Sequence, residues 1–492
     1  MTTSNLPILL FVVPFVAALL SAAGGWLVRG SDRWIALGGL LVTAALAVAS
    51  VPRVLSGGSL HTHLGNWPPP IGIEVLLDPL SAIMSALVAV VALIVVAGSV
   101  PQVSQEMHRR ETVYYATVML LVSGLMGMVV TGDLFNLFVQ LEVAALSAYA
   151  LVAAGGRGAP RAGLNYLIIG TLGASLYLMG VGFIYGATGS LNMADIATLL
   201  PDAEPRLVLV GGLLIVAGMG VKMALFPLHM WMPAAYARAP VAAAALMAPL
   251  VTKVSAYVMV RVIFWVFGTG TLEVERVLLD LLAYAGAAAM VAGGLLALAQ
   301  QDLRRLLAYS SIGQLGIVAL GIGLASTESL TGAVLHIGND ALMKATLFLA
   351  AGMALLRFDV RNVSDLSRLR GRAPWSAAAM TIAGLSLIGV PPLAGFFGKW
   401  YVLNGALAAG RWPLAAALVL SSLATVGYVF RILERLYFAT PAADDGTREG
   451  SAPVVVACVT LAALIILLGL MNERVVSVLI LPSLPALPVM VP

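Results

Sequence analysis

The chain has 492 residues, of which 61% are hydrophobic and only 10% are charged, and its mean hydropathy is +1.00. This composition excludes a soluble globular protein and predicts an all-α polytopic membrane protein. The net charge of +4 comes from arginines spread over short loops, so it predicts no nucleic-acid surface. The single Cys458 excludes a metal cluster or a zinc site that is ligated by several cysteines of this chain, and no motif predicts a bound cofactor.

Apolar runs of about 20 residues predict about fourteen transmembrane helices. In chain order the predicted spans cover residues 6–27, 34–51, 78–100, 113–130, 134–154, 163–186, 207–226, 241–267, 277–299, 303–325, 330–356, 375–408, 412–438 and 453–472. An even number of spans places both termini on the same side of the membrane. The first run precedes the first arginine, so we expect a first span with its N-terminus outside rather than a cleaved signal.

Arginine placement supports this count. With fourteen spans, seventeen arginines fall on one side and six on the other. Cytoplasmic loops carry the excess of positive charge, so both termini are predicted on the outer side.

Two predicted spans contain helix-breaking residues. The seventh runs into LFPLHMWMP, which includes Pro227 and Pro233, and the twelfth contains GVPPLAGFFG, with breaking residues Pro391, Pro392, Gly395 and Gly398. Lipid offers no hydrogen-bond partners for the backbone N–H and C=O groups that a helix break leaves free, so each break should face protein or a watery cavity. The alternative is that proline is simply commoner in membrane helices.

The two breaks lie five spans apart, and each has a lysine beside it. They predict two five-helix repeats, spans 4–8 and 9–13, inverted because five is odd. The predicted division is N-terminal helices at 1–112, a first repeat at 113–267, a second repeat at 277–438, and a C-terminal helix and tail at 453–492.

Every lysine lies inside an apolar stretch, and the four are Lys222, Lys253, Lys344 and Lys399. An ammonium at membrane depth costs several kcal/mol, so it needs a partner, a watery cavity or a function. Lysine, unlike arginine, can give up its proton when it is desolvated. Our hypothesis is that these amines, with the Glu142 carboxylate, carry protons through the membrane.

Glu142 has apolar neighbours on both sides, and we expect it to pair with Lys222. Opening and closing that pair would change the proton affinity of Lys222. The alternative is a pair that only pins two helices. Lys253 has no acidic residue near it in sequence, so we expect it to be unpaired and able to accept a proton; the alternative is a side chain that snorkels to an interface.

The eleventh span carries His336, Asp340 and Lys344 at i, i+4 and i+8. This spacing puts them on one helical face, about 12 Å from first to last, where water chains could relay protons. The alternative is a purely stabilising pair between Asp340 and Lys344. Lys399 follows the second break and is the last amine before the far side.

Three weaker signals remain. Asp133 begins a span and is expected to cap a helix, with an accessory place on the proton path. His229 follows the first break and either admits protons from the cytoplasmic side or is a structural histidine. His61 and His63 lie in an outer loop, and two histidines without further ligands predict no metal site.

These segments resemble the antiporter-like subunits shared by respiratory complex I, membrane-bound hydrogenases and Mrp-type cation/proton antiporters. The resemblance is carried by GDLFNLFVQLEVAALSAYAL, VKMALFPLHMWMPAAYARAP, HIGNDALMKATLFLAAG and GVPPLAGFFGKW. It implies fourteen core helices, two inverted repeats and a polar axis at mid-membrane. The implied proton-path positions are Glu142, Lys222, Lys253, His336, Lys344 and Lys399. The implied setting is the cell membrane of a prokaryote, with other membrane subunits as partners and protons and Na⁺ or K⁺ as the transported ions.

Within the family, Asp340 stands where complex I relatives tend to carry histidine, and Lys399 departs from the glutamate of one complex I paralogue. Both favour the D-type subunit of an Mrp antiporter, a transporter subunit rather than an enzyme. The alternatives are a proton-pumping subunit of a quinone-reducing complex or membrane-bound hydrogenase, and a scaffold whose charges only lock helices.

Overall fold

The computed structural model of the protein describes residues 2–3, 5–28, 30–107, 110–268, 273–440 and 446–485. Within these residues, thirteen helices are long and apolar enough to cross a membrane, and Pro374–Ile388 is a shorter apolar helix. The predicted all-α polytopic membrane fold is therefore confirmed.

The helices follow the predicted spans in order. They are α1 (Leu6–Leu27), α2 (Ser31–Gly57), α3 (Pro79–Glu106), α4 (Glu111–Val130), α5 (Leu134–Ala153), α6 (Ala159–Thr188), α7 (Met193–Leu199), α8 (Pro205–Lys222), α9 (Met232–Arg238), α10 (Val241–Val262), α11 (Glu273–Leu298), α12 (Leu303–Leu324), α13 (Thr327–Phe358), α14 (Pro374–Ile388), α15 (Ala394–Ala408), α16 (Trp412–Tyr437), α17 (Ala452–Leu470) and α18 (Asn472–Arg474). Short 3₁₀ segments are Leu64–Asn66, Leu200–Asp202, Val363–Leu369 and Leu481–Ser483, and π-helical segments are Ile263–Phe267 and Val475–Ile480.

Both predicted helix breaks are present, with two corrections. The seventh span is divided between α8 and α9, and Pro227 lies in the gap, whereas Pro233 lies in the first turn of α9, where proline is well tolerated. The twelfth span is divided between α14 and α15. Its prolines lie in the gap, whereas Gly395 and Gly398 are inside α15 and allow neighbouring elements to approach closely.

Two matching backbone bridges mark the predicted repeats. Asp133 bridges to Asn192, and Asp302 bridges to Asn362. Each aspartate caps the second helix of its predicted repeat: Asp133 Oδ1 accepts from the Asn136 amide at 2.6 Å, and Asp302 Oδ1 accepts from the Arg305 amide at 2.9 Å. Five spans separate the two bridges, so they lie at opposite ends of the bundle. The two five-helix repeats and their residue boundaries remain predictions.

A small sheet lies against the turn between α4 and α5. Strands β1 (Thr2–Thr3), β2 (Leu60–His63) and β3 (Glu74–Leu77) lie in that order, with β2 and β3 antiparallel. The backbone carbonyl of Glu74 accepts a hydrogen bond from the Gly132 amide at 3.0 Å. The hairpin between α2 and α3 is therefore docked on the turn between α4 and α5.

The centre of the bundle is formed by α10, α12 and α13, which are mostly buried, whereas only about a third of the membrane-spanning part of α1 and of α2 is buried. Arg261, which is predicted on the outer side of the membrane, lies in the last turn of α10. It is 4% exposed and pairs with the carboxylate of Asp78, the N-cap of α3, through contacts of 2.5 and 2.7 Å. The central helices are the ones that carry most of the predicted site.

Candidate functional site

All four lysines are buried in the helical bundle. Lys253 and Lys344 are 0% exposed, and Lys222 and Lys399 are 6% exposed. Snorkelling is therefore excluded for Lys253, because its side chain does not reach the surface. The nitrogen of each lysine has specific oxygen partners.

Lys222 is paired as predicted with Glu142. Its Nζ lies 3.5 Å from Glu142 Oε1, and it also donates a hydrogen bond to the Tyr149 hydroxyl at 3.1 Å. Lys222 is the last residue of α8, so its charge lies beside the negative end of that helix. The Glu142 side chain is 24% exposed, which places this pair at the edge of the bundle.

Lys253 is paired with Asp340, so the expectation of an unpaired amine is wrong. Lys253 Nζ lies 2.7 Å from Asp340 Oδ2 in an ion pair, and it donates a hydrogen bond to the Ala248 carbonyl at 3.0 Å. The carboxylate comes from α13, which is far away in sequence but packs against α10. Pairing offsets much of the cost of burying both charges.

The alternative of an Asp340–Lys344 ion pair is also wrong. Lys344 donates instead to the Ser310 hydroxyl at 2.5 Å and to the Leu307 carbonyl at 3.3 Å, both on α12. On the same helix, Gln314 Oε1 lies 3.1 Å from His336 Nε2. Ser310 and Gln314 are four residues apart and share one face of α12. Sequence reasoning missed both, although this polar spacing in an apolar helix was a visible signal.

Lys399 occupies the second helix break. Its Nζ donates to the carbonyls of Leu387 at 2.8 Å and Ile388 at 3.0 Å. These are the last two residues of α14, so the break provides free carbonyl oxygens and the negative end of a helix for the ammonium. The predicted association of a lysine with this break therefore has a direct structural cause.

The predicted residues form two clusters. The first cluster consists of Glu142, Lys222 and the unpredicted Tyr149. The second cluster consists of Lys253, His336, Asp340, Lys344 and Lys399, buried side chains of α10, α13 and α15 around the Lys253–Asp340 ion pair. Among the residues that the structure describes, no ion pair or side-chain hydrogen bond joins the two clusters.

The accessory residues lie beside these clusters. His229, from the first break, is 8% exposed and its ring contacts those of Phe226 and Tyr309, with ring centroids 5.2 and 6.2 Å apart. Tyr309 precedes Ser310 on α12, and Ser310 hydrogen-bonds Lys344. His229 therefore lies where the first break meets α12. Asp133 caps α5 as expected, about 13 Å along the helix from Glu142. The roles of both residues on a proton path remain predictions.

Arg304 connects α12 to the first break. Its guanidinium donates to the carbonyls of Tyr236 at 2.7 Å and Ala239 at 2.6 Å, at the carboxyl end of α9. Helix α12 also contacts Lys344 through Ser310 and His336 through Gln314. One helix therefore touches both the broken seventh span and the second cluster.

Gly398→Ala should lower the unfolding temperature of the protein by disturbing the packing around the second cluster. A Cβ at this position would lie 2.8 Å from His336 Nδ1 and 3.1 Å from the His336 Cα, so α15 would have to move away from α13. Overpacking of this kind costs about 1–3 kcal/mol. Gly186→Ala on α6 is the control, because a Cβ there meets nothing within 4 Å. Thermal unfolding in detergent should separate the two variants, and equal stability would contradict the close packing described here.

The fold and these clusters define a multi-pass membrane protein with a buried array of ionisable side chains. Residues 131–425 match the family described as "NADH:quinone oxidoreductase/Mrp antiporter, TM". The chain belongs to this family, and the predicted resemblance is confirmed.

Two curated relatives match almost the whole chain. The N-type subunit of the NADH-quinone oxidoreductase of Desulforudis audaxviator is 40% identical over 501 residues, covering 98% of this chain and 99% of the relative. The D-type subunit of the Na⁺/H⁺ antiporter of Bacillus subtilis is 30% identical over 451 residues, covering 89% of this chain and 90% of the relative.

Two solved structures have the same fold over nearly all of both chains. A chain of the archaeal membrane-bound sulfane sulfur reductase, a respiratory membrane complex, has a TM-score of 0.92 and 30% identity, covering 98% of this chain and 97% of that one. A chain of the Mrp complex from Dietzia sp. DQ12-45-1b has a TM-score of 0.88 and 26% identity, covering 97% and 96%.

Proposed function

We propose that this chain is a proton-translocating subunit of a multisubunit monovalent cation/proton antiporter. The observation that carries the proposal is the second cluster: three amines, one imidazole and one carboxylate are gathered in the buried centre of a membrane protein. Only one ion pair, between Lys253 and Asp340, is closed within it. Ionisable groups at this depth are costly, which favours a role in moving charge over a purely structural one.

The proposed path runs from Lys222 to Lys253, then past Lys344 and His336 to Lys399. A proton on Lys253 is balanced by Asp340, and transfer to the neutral amine of Lys344 leaves a neutral Lys253 beside the carboxylate. Ser310 holds the amine of Lys344 in place to receive that proton. The carbonyl end of α14 then stabilises the charge on Lys399 before release.

The first cluster is proposed to couple the path to other subunits. Glu142 is partly exposed on a face of α5 that also exposes Val139 and Leu146. A carboxylate facing lipid is costly, so a neighbouring membrane subunit would cover it with a polar group. Charge movement in that neighbour would change the Glu142–Lys222 separation, and with it the readiness of Lys222 to release a proton. The relatives and solved neighbours described above are themselves subunits of larger membrane complexes.

A second candidate is a non-redox, proton-pumping subunit of an NADH:quinone oxidoreductase-type complex. The 40% identity to the N-type subunit of such an enzyme favours it, whereas the antiporter relative described above is 30% identical. Both candidates use the same buried path and differ in what drives it. For either one, we place the chain in the cell membrane of a prokaryote with both termini on the outer side, from the arginine distribution.

The deciding experiment uses vesicles that contain the whole native complex. If the antiporter proposal is correct, adding Na⁺ or K⁺ should collapse an imposed pH gradient, and the co-purified subunits should be small membrane proteins. Comparing the two cations would also identify the transported ion. A gradient that responds only to a quinone and a reductant, together with co-purified iron–sulfur subunits, would overturn the antiporter proposal in favour of the second candidate.

A further inference from the structure

The hairpin docked on the first repeat gathers three side chains of the types that bind zinc. His61 and His63 are two residues apart on β2, so their side chains share one face of the strand. Glu74 on β3 is paired directly opposite His63. Its Oε1 lies 2.7 Å from His61 Nδ1 and 3.9 Å from His63 Nε2. The sequence showed only the two histidines, and the fold supplies the third donor.

We propose that His61, His63 and Glu74 bind Zn²⁺ at this end of the protein. In tetrahedral zinc sites the metal–nitrogen and metal–oxygen distances of about 2.0–2.2 Å put neighbouring donor atoms about 3.3–3.5 Å apart. The two contacts of Glu74 bracket this value. The shorter contact must open, and the longer one must close, by roughly 0.6 Å each.

The three side chains are not spaced for a metal ion as they stand. Within the described part of the chain, no group of three or more His, Cys, Asp or Glu side chains is arranged so that it could hold a metal ion. Binding therefore requires the sub-ångström adjustment described above. The His61 and His63 side chains are 15% and 30% exposed and line a cavity of about 500 Å³, so a metal can reach them from water. Water would supply the fourth ligand.

The carboxylate is already oriented by a second contact. Glu74 Oε2 accepts a hydrogen bond from Asn192 Nδ2 at 2.8 Å, which leaves Oε1 directed at the two imidazoles. Outer partners of this kind commonly fix the orientation of metal-binding side chains. Asn192 also caps α7, so an occupied site would tie the hairpin more firmly to the first repeat.

A purely structural role is the alternative reading of this cluster. The His61–Glu74 and Asn192–Glu74 contacts alone would dock the hairpin. In that role His63 contributes at most a 3.9 Å ion-pair contact to Glu74, which is too long for a hydrogen bond. His63 is therefore the residue whose replacement separates the two readings.

The test is calorimetric titration of the purified, metal-stripped full chain with Zn²⁺. We expect one saturable site per chain. His63→Ala should weaken binding by more than the roughly 10- to 100-fold that is typical of losing an outer partner.

Two further variants complete the test. Thr62→Val, on the same strand but with its side chain on the other face, should bind Zn²⁺ normally. Glu74→Gln should also weaken binding, provided that its unfolding temperature matches that of the unchanged protein. The absence of saturable binding, or equal affinity in His63→Ala and Thr62→Val, would overturn the proposal. Because the readout is binding alone, this result is independent of the proposed transport function.

Discussion

Exchanging Lys253 for Met and Asp340 for Leu in the same chain should give a folded, assembled protein that no longer moves protons. The two charged side chains meet at 2.7 Å with almost no exposure. Replacing a buried ion pair with apolar residues of similar size is often neutral or even stabilising. If the pair only pinned α10 to α13, the apolar pair would serve equally well. Proton movement, by contrast, needs a group that can bind and release a proton.

The single variants are the controls for this exchange. Asp340→Leu leaves the Lys253 ammonium buried without its carboxylate, and Lys253→Met leaves the carboxylate without its nearest cation. Removing one partner of a buried pair costs about 3–5 kcal/mol, so both variants should unfold at lower temperature than the double variant. Transport is measured in vesicles and stability by thermal unfolding in detergent. Normal transport by the double variant would show that the pair is only a pin.

Lys222→Arg should stop transport while preserving assembly. Arginine keeps a positive charge beside Glu142 and Tyr149, so the contacts at the edge of the bundle are maintained. A guanidinium stays protonated in proteins, however, and cannot hand on its proton. We expect transport to fall by roughly 10²-fold or more, which is the range associated with losing a proton-transfer group.

Lys222→Ala provides the comparison for this variant, because it removes both the charge and the proton site. It should also abolish transport. Tyr149→Phe keeps the ring but removes the hydroxyl that accepts from Lys222, and it should reduce transport only partly. If Lys222→Arg transports at the normal rate while Lys222→Ala does not, the charge at this position is sufficient and the proposed path through Lys222 is wrong.

The helices were predictable because long apolar runs and the arginine distribution are local properties of the chain. The two breaks were predictable for the same reason, since proline interrupts a helix wherever it occurs. Pro233 was misassigned because proline is also favoured in the first turn of a helix, and only the structure shows that α9 begins there. The pairing of Arg261 with Asp78 was not predicted, because the two residues belong to different helices.

The site was less predictable than the fold. Its residues were recognisable as charges in an apolar setting, and the pairing of Glu142 with Lys222 was anticipated. Two other partners on neighbouring helices were not: Asp340 for Lys253, and Ser310 for Lys344. Helical spacing suggested that Asp340 would pair with Lys344 on its own helix. Packing of α13 between α10 and α12 instead gives each of them a partner across an interface.

The two hydrogen bonds of Arg304 to the end of α9 have a mechanical consequence. A buried helix of 22 residues is a stiff rod about 33 Å long, and α12 carries Arg304 near one end. If α9 shifted, either its two hydrogen bonds from Arg304 would break or α12 would tilt. Tilting of α12 would move Ser310 relative to the Lys344 amine and Gln314 relative to the His336 imidazole. Motion of the short helix α9 would therefore be transmitted directly to the second cluster.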